Sequence, residues 1–129
     1  MASSEMLDPQ TPIVISAAEL VHRDGPGFVM TSATDLMIEA VQAALGATGA
    51  AGSLGELTGA VFVPHGTWSE SDPGRAIADA VGAPNARSIR SELGVLQQSL
   101  LARAATDVRS GVVDVAIVVG GENRWSGVI

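Results

Sequence analysis

Four short strand-like runs, the third of them more polar than the rest, alternate with stretches of helical periodicity and constrain this chain more than any other feature. Residues 13–15 (Ile13, Val14, Ile15), 57–64, 86–93 and 113–119 have the length and β-branched content of strands. Between them, Leu36, Ala40, Val41, Ala44 and Leu45 recur at helical spacing. So do Leu96, Leu100, Leu101, Ala104, Ala105 and Val108 in the longest predicted helix, residues 94–109. A shorter helix is expected over 74–81, stopped by Gly82 and Pro84, and residues 49–55 read as a glycine-rich loop. Ser32 or Thr34 can cap the first helix, with Asp35 at its positive end. A β-α-β-α-β-α-β alternation predicts an α/β fold: a mostly parallel sheet, right-handed crossovers and helices on both faces. Within the second and fourth runs, residues 60–63 and 115–119 are continuously apolar, as expected of strands covered on both faces.

The 129 residues suit one domain, with residues 1–11 a disordered lead-in and 12–129 the folded part. No apolar run approaches the ~18 residues of a membrane span, and residues 1–10 lack the basic start and apolar centre of a signal peptide. A cytoplasmic protein is expected. The net charge is -7, and every basic residue is Arg. Such a surface repels phosphate backbones, and aromatics at 3% leave no base-stacking platform, so nucleic acid is not expected as a partner. Cysteine is absent, which removes disulfides, thiolate metal sites and any thiol nucleophile. Two histidines, His22 and His65, make a poor metal set, and no metal or cofactor is expected.

Nucleotide motifs fail. Gly25-Pro26-Gly27 follows the first run, but Met30 stands where a third glycine is needed. No phosphate-binding loop or nucleophile elbow occurs. Gly120-Gly121-Glu122 lies at a strand's C-terminal end, where open α/β sheets bind ligands, although a tight turn and a backbone-capping carboxylate explain it as well.

Three strings, in order and at the right spacing across residues 12–126, resemble the thiolase superfamily. They are Ser32-Ala33-Thr34-Asp35-Leu36, Asp72-Pro73-Gly74-Arg75, and the stretch from Ser110-Gly111 through Asp114 to Gly120-Gly121-Glu122. The resemblance implies a thiolase-like N-terminal unit with strand order 3-2-1-4, acyl transfer between coenzyme A thioesters as the family's reaction, and a role in lipid metabolism. It also implies a nucleophilic Cys at the N-terminus of the long helix. That position is Gly94 here. Ser91 and His65 are the remaining candidates, Ser91 reading otherwise as a strand-end hydrogen bonder and His65 as a loop residue bonded to backbone. Ser99 reads as an ordinary helix residue and His22 as surface.

A complete thiolase also carries a second half with the catalytic His and a second Cys. The expectation is therefore a thiolase-like protein or a truncated fragment, inactive alone. An alternative is the scaffold portion of an acetyl-CoA acetyltransferase with chemistry on other residues, and a weaker one is a small Rossmann-like binding protein. Association into a homodimer or larger assembly is expected through the strand from Ala86 to Glu92 and the helix from Gly94 to Arg109, with an acyl-CoA ligand or partner subunit as further partners.

Overall fold

The computed structural model describes residues 8–22 and 31–122. Seven elements follow one another: α1 (Ala33–Ala47), α2 (Ala51–Leu57), β1 (Thr58–Val63), α3 (Pro73–Ala80), β2 (Arg87–Arg90), α4 (Gln97–Arg109) and β3 (Val115–Val118). Most of the lead-in and the Gly25-Pro26-Gly27 string lie outside the described residues.

Local chemistry sets the helix starts. The Ser32 hydroxyl caps α1 by accepting from the Asp35 N–H. Asp72 caps α3 by accepting from the Arg75 N–H, and Pro73 fills the first turn, where its missing N–H costs nothing. Of the expected loop at 49–55, residues 51–55 are instead part of α2. Glycine there allows close packing rather than breaking the helix: a side chain at Gly55 would collide with the Val81 carbonyl at the end of α3.

The sheet is parallel, in the order β2-β1-β3. In the numbering of the four sequence runs this is 3-2-4, so the expected order 3-2-1-4 is corrected. β1 and β3 pair directly, Val61 opposite Ile117 and Phe62 opposite Val118, which leaves no slot between them. The run Ile13-Val14-Ile15 belongs to no strand and is exposed, 69%, 83% and 54% accessible, and Ser16 donates from its hydroxyl to the Ala44 carbonyl of α1 at 2.7 Å. β-branched residues favour a strand only where a neighbouring edge receives them.

β1 is the centre of the fold. Its Val61 and Val63 face a core built with Met37 and Val41 of α1 and Ile77 of α3. Ala60 and Phe62 face the opposite core with Leu100 and Ala104 of α4. Helices therefore cover both faces, as expected. The long helix buries part of its apolar face and exposes the rest: Leu96 and Leu101 remain accessible.

The two sheet edges differ. β2 carries Arg87, within 3.4 Å of the buried Asp107 carboxylate, and Arg90, whose guanidinium donates to the Glu70 and Ser71 carbonyls. β3 presents only Val115, Ala116, Ile117 and Val118, all half-buried.

Candidate functional site

Parallel strands bring their C-terminal ends to one side of the sheet, and the segments that follow them meet there. β1 runs into Pro64, His65, Gly66, Thr67 and Trp68, β2 into Ser91, and β3 into Gly120, Gly121 and Glu122. The first residue of α4 joins them, since a methyl group at Gly120 would touch both Pro64 and the Gln97 amide. This is the location at which open α/β sheets bind ligands.

The segments are tied together. Glu122 accepts from the Thr67 N–H at 2.7 Å and from the Thr67 hydroxyl. Trp68, 5% exposed, donates its indole N–H to the Gly121 carbonyl at 2.9 Å. The His65 ring stacks on Trp68, centroids 4.8 Å apart at 25°. Its Nδ1 lies 2.7 Å from the Gly66 carbonyl, and its backbone N–H donates to Ser91 Oγ at 3.3 Å. A methyl at Gly66 would displace the Trp68 indole nitrogen and the Glu122 carboxylate.

The sequence candidates separate accordingly. Ser91 is a strand-end hydrogen bonder: its N–H donates to the Val63 carbonyl at 3.0 Å and its hydroxyl oxygen receives the His65 N–H. Its proximity to His65 is through the main chain, not through an imidazole acting on the hydroxyl. Glu122 caps backbone and hydroxyl donors. Ser99 lies exposed on α4, and His22 pairs with Glu39 at 2.9 Å on the surface. Gly94 precedes α4 rather than opening it. The N-cap is Leu96, and Gly94 sits in the left-handed region at φ 95° with open space where a side chain would be. Sequence reading missed Thr67, Trp68 and Gln97. A tryptophan four residues past a buried strand, in a chain this poor in aromatics, was the available signal for one of them.

Among the described residues no three His, Asp or Glu side chains converge as a metal set, and no helix is long and apolar enough to cross a membrane.

No protein-family profile matches the chain, and no curated protein does. Among solved structures it is similar to a monomeric SCP2-thiolase like protein type 1 from Mycobacterium smegmatis, with a TM-score of 0.77 and 27% identity over 92% of this chain. The fold is thiolase-like. The chain spans 25% of the length of that thiolase-like structure.

Proposed function

We propose that this chain is a thiolase-like unit of acyl-CoA or lipid metabolism that performs no acyl transfer by itself. The observation that carries the reading is the thiolase-like fold joined to a strand-end site without a cysteine. The chain has no Cys, Gly94 occupies the position where the resemblance expects one, and the Ser91 oxygen is engaged by a backbone N–H. A cytoplasmic location and coenzyme A thioesters as the ligand class belong to the same proposal.

Turnover is the test. The purified chain, given acetyl-CoA or acetoacetyl-CoA with coenzyme A, is expected to match the buffer blank. Turnover that Ser91→Ala abolishes would overturn the reading in favour of a serine mechanism.

A second reading, a scaffold portion of an acetyl-CoA acetyltransferase, is favoured by one observation: the chain matches a quarter of its structural neighbour. Exposed Leu93, Leu96 and Leu101 at the start of α4 support association with further polypeptide, a second copy included. That neighbour is described as monomeric. Arg87 and Arg90 are held by Asp107 and the Glu70 and Ser71 carbonyls, so pairing through β2 would have to displace them. Mixing the chain with acyl-CoA and following its mass by light scattering separates a self-assembling unit from a lone one.

A further inference from the structure

We propose that the His65 imidazole is the ligand-facing proton acceptor of the strand-end site, taking up the S–H proton of a bound thiol through Nε2. The choice of a thiol rests on the acyl-transfer reading above; the acceptor role rests on geometry. A carbonyl oxygen only accepts, so the 2.7 Å contact with the Gly66 carbonyl assigns a proton to Nδ1. The other nitrogen, Nε2, then carries the lone pair. Among the described residues it has no hydrogen-bond partner. Stacking on Trp68 fixes the ring plane, and Trp68 is itself held by Gly121. Glu122 pins the intervening Thr67 to the end of β3. An imidazole fixed on one nitrogen and open on the other is the arrangement that accepts a proton from a nucleophile.

The chain has no Cys, so a thiol proton at this site comes from the ligand. The step is a single transfer: the S–H bond breaks, Nε2–H forms, and a thiolate remains beside an imidazolium whose Nδ1–H stays on Gly66. No other bond changes.

Only two histidines are present, so His22→Gln leaves His65 as the sole imidazole at the cost of one surface pair. Histidine-selective 15N spectra of this variant are recorded free, with millimolar pantetheine, and with S-methylpantetheine, which lacks the S–H. The expected result is a neutral tautomer protonated at Nδ1, with the Nε2 resonance moved by pantetheine and not by its methyl ether. A free-state proton on Nε2, an equal response to both probes, or no response overturns the proposal. None of these outcomes bears on the turnover measurement, which tests the reading beneath it.

Discussion

The Glu122 carboxylate accepts both the backbone N–H and the hydroxyl of Thr67, so the end of β3 holds the loop that leaves β1. Thr67 and Glu122 are both exposed, which limits what this clasp adds to global stability. Glu122→Ala is expected to cost about 0.5–1.5 kcal/mol in urea unfolding. Its larger effect is local: the Thr67 amide should exchange with solvent faster than in the parent chain. An unchanged exchange rate would show that the clasp does not hold the loop in solution.

Restoring a thiol at the expected position should not restore activity. Gly94→Cys places a side chain at φ 95°, where an L-residue costs about 1–2 kcal/mol, although the space around it is open. The new thiol precedes the N-cap Leu96, outside the first turn whose N–H groups would activate it. Alkylation by iodoacetamide should proceed at the rate of an ordinary exposed thiol, with no acyl-CoA turnover. A fast-reacting thiol would place it under the helix's influence.

The two glycines of α2 should respond in opposite directions. Gly52→Ala meets open space and should stabilise the helix by about 0.5–1 kcal/mol. Gly55→Ala drives a methyl into the Val81 carbonyl and should destabilise by about 1–3 kcal/mol. Thermal melts of the two variants decide it. Like-signed shifts would mean that α2 does not pack on α3 this closely.

Phe62 is fully buried in the central strand and packs in the core beneath α4. Phe62→Ala should cost about 3–5 kcal/mol, a large share of a small domain's stability. Denaturant titration would show it as a lowered midpoint, and a loss under 1 kcal/mol would contradict the burial.

The second run was legible because its composition reads as buried on both faces, and β1 is buried in that way. The α1 cap was legible to within two residues, Ser32 or Thr34, because capping is local chemistry, and Ser32 is the one that caps. What failed was information carried by neighbours. Nothing within residues 13–15 says that β1 and β3 already pair and leave no slot between them, and nothing within residues 51–57 says that Gly55 must meet Val81. The candidate site divides in the same way. His65 and Glu122 could be named because each follows a predicted strand, and Ser91 because it lies near the end of one. Thr67 could not be joined to Glu122, 55 residues away, because that pairing depends on the register of β1 against β3.

A sheet with Arg87 and Arg90 fastened along β2 and only Val115 to Val118 along β3 is chemically unlike across its width. A foreign strand approaching β2 would have to displace tethered charges, so that margin is blunted against edge-on accretion.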